Sequence, residues 1–388
     1  MDKRITVAQL IPGLIVGDLG GGLELYSIRL AQAIDKNQFR VQMVNLWRFD
    51  RPIERQWEAE LRETGIDVYY GPPFGQRMQQ SVVQAWHCLR LQLQSLQPDI
   101  IHAHGEYAGI VGMALSLTTH RPRLIRTCHT LLEFPRHPPL RFVTAALYPL
   151  LAAAQVGVST AIVDNLRSNP LARLARRPVW LINNGIDLQR VLKRRTRANL
   201  RQELGLSADI PLFGLVGRLT EQKGIPYALQ AFALLRKRIP AAVFVIVGTG
   251  YGEKPQALQA QAAALELERS VYWLGARADA IDIIASLDVL VSASLWEGLP
   301  TVILEAMAVG TPVAATDIPG TRELIIHEQT GLLAPPRDPA ALAIAMERLI
   351  RDHGLAQRLV IAARKHVTQF TINHAARRYE HLYHLLMS

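Results

Sequence analysis

An α/β fold of two domains, each built from βα units around a parallel sheet, is predicted by three observations. Short β-branched runs alternate with helix-period patterns along the whole chain. The runs fall into two series, and a basic stretch near residues 190–208 separates them. The 388 residues also exceed what one ordinary core organises, which argues for two or three domains.

In the first series, strands are expected at Arg4–Leu10, Val41–Trp47, Val68–Tyr70, Ile100–Ala103, Leu124–Cys128, Val156–Val158 and Trp180–Asn183. In the second they are expected at Leu212–Val216, Val243–Val247, Val271–Leu274, Val289–Val291 and Val313–Ala315, with helices between them. The domains are therefore placed at 1–192 and 193–369. A last helix within 370–388 carries the stripe Ala375, Tyr379, Leu382, Tyr383 and Leu386.

Composition narrows the class. With 49% hydrophobic and 20% charged residues, the chain has the make-up of a globular protein with a sizeable interior. The opening MDKRITVAQLIPG reads as a first strand rather than a signal peptide, so a cytoplasmic location is expected. Two cysteines, Cys88 and Cys128, are too few for a disulfide framework and read as buried free thiols. The net charge of +10 is spread over both halves: residues 1–192 hold 21 basic and 15 acidic residues, the rest 22 and 18. The local run Arg190, Lys193, Arg194, Arg195, Arg197 and Arg201 lacks interleaved aromatics, and no nucleic-acid partner is expected.

The longest apolar stretch, residues 142–158, is broken by Pro149 and Gln155. It falls short of the roughly 20 residues that a membrane span needs and reads as a buried helix followed by a strand. The preceding segment Pro135–Arg141 is basic and apolar enough to touch a membrane interface.

The most informative segment is residues 286–323. The run Val289–Val291 reads as a buried strand, Ser292–Gly298 as the loop at its carboxyl end, and Pro300 as a helix-starting proline. Ligands bind at that edge of open α/β sheets. Glu297 and Glu305 lie eight residues apart across the junction, roughly 12 Å if the whole segment were helical. The carboxyl pair of a glycosidase stands about 5 to 9.5 Å apart, so this spacing is too wide for that chemistry. It suits two hydroxyl-bearing groups separated by a diphosphate, with the free amides near Thr301 and Val302 facing the phosphates. Glu297 would hold a sugar and Glu305 a ribose.

As it stands, EGLPTVILEAMAVGTPV closely resembles the retaining glycosyltransferases of GT-B family 4, whose hallmark is Glu-x7-Glu within EGxPxxxLEAMAxGxPV. The resemblance covers nearly the whole chain. It implies the GT-B fold, two Rossmann-like domains with parallel sheets facing across a cleft. The acceptor would lie on the first domain, the donor chiefly on the second, and the last helix would pack back on the first. The reaction it implies moves a sugar from a nucleoside diphosphate to an acceptor hydroxyl with retention. A role in bacterial-type glycan, lipopolysaccharide or glycolipid synthesis is expected.

Other motifs fit that frame. The loop Gly17–Glu24, with Gly20, Gly21 and Gly22, can bring backbone amides close to phosphate, although it lacks the dinucleotide pattern GxGxxG. It matches the family's early GGxE loop. GRLTEQKG carries Arg218 and Lys223 at a strand end, and family members use the same GRLxxxKG pattern to neutralise the leaving diphosphate. The chain has no Asp-x-Asp, so neither a metal nor any other cofactor is expected. Gly248 and the loop Leu274 to Arg277 align around the nucleotide base. Gly298 and Leu299 join the donor set, while Gly320 and Glu323 fit the family frame. His102 and His104 share one strand face, where a metal is conceivable but lacks a nameable third ligand. His129 aligns with a histidine that contacts the donor sugar or acceptor in relatives; a strand-capping role is its structural alternative. The expected partners are a nucleotide-sugar donor, a glycan or lipid-linked acceptor, and a membrane surface touched peripherally. A nucleotide-sugar epimerase or a non-catalytic sugar-nucleotide-binding protein are the rival readings.

Overall fold

The computed structural model describes residues 4–16, 21–75, 77–131, 133, 138–193, 200–250 and 255–388, with the Pro138 side chain left aside. The chain divides into two compact units, Met1–Gly185 with Ile372–Ser388, and Ile186–Thr371. The residue 192/193 boundary expected from sequence falls at the end of the helix Leu188–Lys193, inside the second unit.

The first unit has seven strands, β1 (Ile5–Ile11), β2 (Phe39–Asn45), β3 (Asp67–Tyr70), β4 (Ile100–His104), β5 (Arg123–Cys128), β6 (Ala154–Gly157) and β7 (Val179–Leu181). They form one parallel sheet in the order β3-β2-β1-β4-β5-β6-β7. The sheet is apolar on both faces because helices cover both, as parallel sheets require. On β4, Ile100 joins the core beneath the helices Gly22–Ala33 and Ile372–Met387, whereas Ile101 and Ala103 face the core beneath Met78–Leu96 and Glu106–Thr118. The last helix belongs to this unit, burying Ala375, Ala376, Tyr379, Leu382 and Tyr383.

The second unit has β8 (Leu212–Val216), β9 (Val243–Val247), β10 (Val271–Gly275), β11 (Val289–Ser292), β12 (Val313–Thr316) and β13 (Leu332–Ala334). Their parallel order is β10-β9-β8-β11-β12-β13. The sequence had not suggested β13. Phe213, Phe232 and Phe244 pack at the centre of its main core, with the Phe232 and Phe244 rings stacked at 5.1 Å.

The helix within residues 142–158 corrects its sequence reading. It runs from Pro138 to Leu151 and turns Thr144 and Tyr148 inward, yet Phe142 is 78% exposed and Val143 51%. One helix face meets the sheet, and the apolar residues on the other are left uncovered by the described residues of the unit. Cys128 is buried, which pushes its thiol up to about 12, while Cys88 is half-buried; both are free. No described helix is long and apolar enough to cross a membrane.

Candidate functional site

In each sheet the strand order reverses beside the first strand, between β1 and β4 and between β8 and β11. Loops leaving the two strands at such a point diverge and open a crevice at their carboxyl ends. Lys223 and Glu297 lie on the loops that follow β8 and β11.

Glycine fixes that meeting. Gly224 has φ +58°, and a Cβ there would stand 2.0 Å from the Ala293 carbonyl oxygen. The two loops can therefore touch only because this residue has no side chain. The single 3-10 turn Glu221–Lys223 precedes it. The Leu295 N–H donates to the Gln222 carbonyl at 2.8 Å, and Gln222 Nε2 donates to Trp296 O and to Glu297 Oε2, each at 3.0 Å. Glu297 Oε1 accepts from Lys223 Nζ at 2.6 Å and from Ser294 Oγ at 2.8 Å. With Lys223 and Glu297 side chains only 16% and 8% exposed, this is a largely desolvated, fully engaged ion pair. Removing one member of such a pair leaves an uncompensated charge, at a cost of about 3–5 kcal/mol.

Glu305 lies on the helix Thr301–Val309, which Pro300 caps and whose first residues include Thr301 and Val302. The amides of that first turn have no partner within the helix. Burial raises the Glu305 carboxyl to about 7, with the Lys223 charge pulling the other way. Part of its surface stays open to solvent, so the desolvation is that of a recessed wall rather than a sealed core. Among the described residues, its carboxyl has no hydrogen-bond or ion-pair partner. Lys223 is thus the cation that acts on both glutamates. Arg218, next in the chain after Gly217, is exposed, and its guanidinium likewise has no partner among the described residues.

The surrounding loops interlock. A Cβ on Gly248, at φ +135°, would stand 2.0 Å from the Gly217 carbonyl oxygen, and the Gly248 N–H donates to Gly275 O at 2.7 Å. Gly298 and Leu299 are buried, and the close approach of Gly320 to the carbonyls of Glu297 and Gly298 seats them. Leu274 is half-buried at the end of β10. Arg277, expected beside the nucleotide base, has its guanidinium held by Glu203 at 2.7 and 3.1 Å and by Asp279 at 2.8 Å twice. In the donor-free chain its fork thus ties the loop after β10 to the helix Leu200–Glu203.

In the first unit, Gly20 lies outside the described residues. Gly21 precedes the helix that Gly22 begins, and its N–H donates to Glu24 Oε2 at 2.8 Å. His129 follows β5 and lies 3.3 Å from His104 Nδ1 through its Nε2. Burial lowers its pKa to about 3, so it is neutral at ordinary pH. His102 is also lowered to about 3 by burial, and its two ring nitrogens meet Tyr383 OH at 2.7 Å and Thr127 Oγ1 at 2.8 Å. Thr127 Oγ1 in turn lies 2.9 Å from Tyr379 OH. The last helix thus closes a neutral polar cluster, and the His102 ring packs on that of His104 at 4.0 Å between centroids. Among the described residues no group of three or more His, Cys, Asp or Glu side chains is placed to hold a metal ion.

Gln222, Ser294, Tyr379 and Tyr383 were not singled out from sequence as site-supporting residues. Gln222 and Ser294 are near neighbours of Lys223 and Glu297 in the chain, the one signal that could have found them. The tyrosines were legible only as an apolar stripe.

The chain thus has two parallel-sheet, Rossmann-like units, with a cation–carboxylate pair at the switch point of the second. Residues 196–366 match the family described as "Glycosyl transferases group 1" and residues 20–190 that described as "Glycosyltransferase Family 4". The chain is 30% identical over 396 residues to the D-inositol 3-phosphate glycosyltransferase of Corynebacterium urealyticum, covering 94% of this chain and 91% of that one. To the UDP-Gal:alpha-D-GlcNAc-diphosphoundecaprenol alpha-1,3-galactosyltransferase of Escherichia coli it is 29% identical over 262 residues, 66% of this chain and 67% of the relative. The fold is shared with Anabaena HepE, solved in complex with UDP-glucose, at a TM-score of 0.81 and 24% identity, over 98% of this chain and 99% of that one. The chain belongs to glycosyltransferase family 4, the group 1 glycosyl transferases, and has their GT-B fold.

Proposed function

We propose that the chain moves a sugar from a nucleoside-diphosphate donor to an acceptor hydroxyl, with retained anomeric configuration and without a metal ion. The observation that carries this reading is the pairing of Lys223 with Glu297 beside a recessed Glu305 whose carboxyl has no partner among the described residues. Without donor, Glu297 neutralises Lys223. A bound diphosphate offers Lys223 a second anionic partner and frees carboxylate capacity on Glu297 for sugar hydroxyls.

Charge growing on the leaving phosphate would be met by Lys223, Arg218 and the amides of Thr301 and Val302, the kind of preorganised stabilisation that dominates catalysis. Glu305 would accept hydrogen bonds from the ribose diol. Glu297 would position the sugar and stabilise an oxocarbenium-like centre. His129, held neutral, is suited to hydrogen bonding near the reacting carbon or the acceptor rather than to supplying a charge. Gly248, Leu274, Gly298 and Leu299 would border the nucleotide and sugar, and Gly21 and Gly22 would serve the donor from the first unit.

A glycan or lipid-linked acceptor, and with it a peripheral contact with a membrane surface, fits the relative that acts on a diphosphoundecaprenol-linked sugar. The test is transfer from a labelled nucleotide sugar in the presence of EDTA, with the product's anomeric configuration read by NMR. Retention that survives chelation is expected. An inverted product, or transfer abolished by EDTA and restored by a divalent ion, would overturn the reading.

A further inference from the structure

One face of the first unit combines large exposed apolar side chains with arginines that form no ion pair among the described residues. On the helix Pro138–Leu151, Phe142 is 78% exposed, Val143 51% and Leu150 43%; on the neighbouring helix Pro170–Ala175, Leu174 is 76% exposed. The helices pack together, and Asn169 Nδ2 donates to the Ala145 carbonyl at 2.7 Å. Apolar groups so exposed and so grouped mark a contact surface.

Beside them, the helix Thr160–Ser168, the helix Pro170–Ala175 and β7 enclose an open groove of about 520 Å³. It is lined by Asp164, Arg167, Ser168, Arg173, Arg177 and Val179. Arg167 is steadied by donating to Val179 O at 3.0 Å, and Arg173 by donating Nε to Arg167 O at 3.3 Å. Each keeps further N–H donors for a ligand. Between residues 138 and 180 the chain has five arginines, 141, 167, 173, 176 and 177, against one acid, Asp164.

We propose that this face docks the protein on an anionic lipid surface. Phe142, Val143, Leu150 and Leu174 enter the boundary between headgroups and acyl chains, while Arg167, Arg173 and Arg177 take lipid phosphates in and around the groove. Charge decides the occupant. A second copy of the chain would bring two sets of arginines together, whereas an anionic leaflet satisfies the cations and the apolar side chains at once. The proposal rests on the peripheral membrane contact proposed above and supplies its surface, which differs from the Pro135–Arg141 segment expected from sequence; residues 135–137 lie outside the described ones.

The test is sedimentation of the full chain with vesicles of phosphatidylcholine alone and of equal parts phosphatidylcholine and phosphatidylglycerol, with binding of a sugar nucleotide measured in parallel. The chain is expected to pellet with the anionic vesicles only, less so as salt rises. Phe142→Asp with Leu174→Asp should release it. Arg173→Gln and Arg177→Gln should each weaken binding about fivefold. All four positions are exposed, so melting curves and nucleotide binding should match the parent. Equal partitioning onto neutral vesicles, no partitioning at all, or variants that pellet like the parent would overturn the proposal, as would a solution dimer that Phe142→Asp dissociates. Loss of nucleotide binding with docking intact would instead count against the donor site alone.

Discussion

If Glu305 receives the ribose diol as a carboxylate, donor affinity must carry its titration. Burial holds this carboxyl at about 7, so near neutrality the free protein is divided between acid and carboxylate. Hydrogen bonds from two hydroxyls favour the charged form and pull the bound pKa well below that value. Apparent affinity then falls by the factor 1 + 10^(pKa − pH), about tenfold from pH 8 to pH 6. Both phosphates of a nucleotide sugar stay ionised over this range, and the histidines lowered to about 3, His102 and His129, do not titrate there. Calorimetric titration at pH 6, 7 and 8 reads the slope directly. Glu305→Gln should bind more weakly at pH 8 and lose the pH dependence. The same tenfold slope in that variant, or a flat profile in the parent, would refute the assignment of Glu305.

The same carboxyl has a stability signature. Because its folded pKa is raised from 4.5 to about 7, the folded chain holds this proton more tightly than the unfolded one. Its favourable contribution is present below about pH 4.5 and is lost as pH rises through about 7. Glu305→Gln should therefore stabilise the donor-free protein by about 3 kcal/mol at pH 8 and less than about 1 kcal/mol at pH 5, as measured by urea unfolding. Gly224→Ala should cost about 3 kcal/mol or more and depress donor binding as well, because a Cβ at φ +58° meets the Ala293 carbonyl; chemical denaturation and calorimetry check both. Glu297→Ala should lower turnover more than donor affinity, since Lys223 remains for the diphosphate, and steady-state kinetics separate the two. In an NMR titration between pH 5 and 8, the imidazoles of His102 and His129 should not move; a midpoint near 6.5 for His129 would contradict its lowered pKa.

The strands of both sheets were legible because runs such as Val243–Val247 and Val289–Ser292 are β-branched and bounded by turn residues. Leu332–Ala334 escaped notice because three residues with no β-branched side chain make no pattern. Glu297 and Glu305 could be picked out by their spacing within the family's motif and Lys223 by its match to GRLxxxKG, but Gln222 and Ser294 are ordinary loop residues until the fold folds one loop onto the other. The ion pair itself joins positions 74 residues apart, and nothing in the spacing announces it. The exposure of Phe142 was misjudged for a related reason: apolar composition says that a surface needs covering, not that the same domain covers it. Likewise the stripe on the last helix did not carry the hydroxyl contacts of Tyr379 with Thr127 and of Tyr383 with His102.

The most direct test of the Glu297, Lys223 and Glu305 donor site is calorimetric titration of UDP-, GDP- and ADP-sugars in EDTA against the parent chain, Lys223→Ala and Glu305→Ala. At least one sugar nucleotide should bind the parent without metal, and both variants should bind it more weakly. Unchanged affinity in both variants would contradict the account.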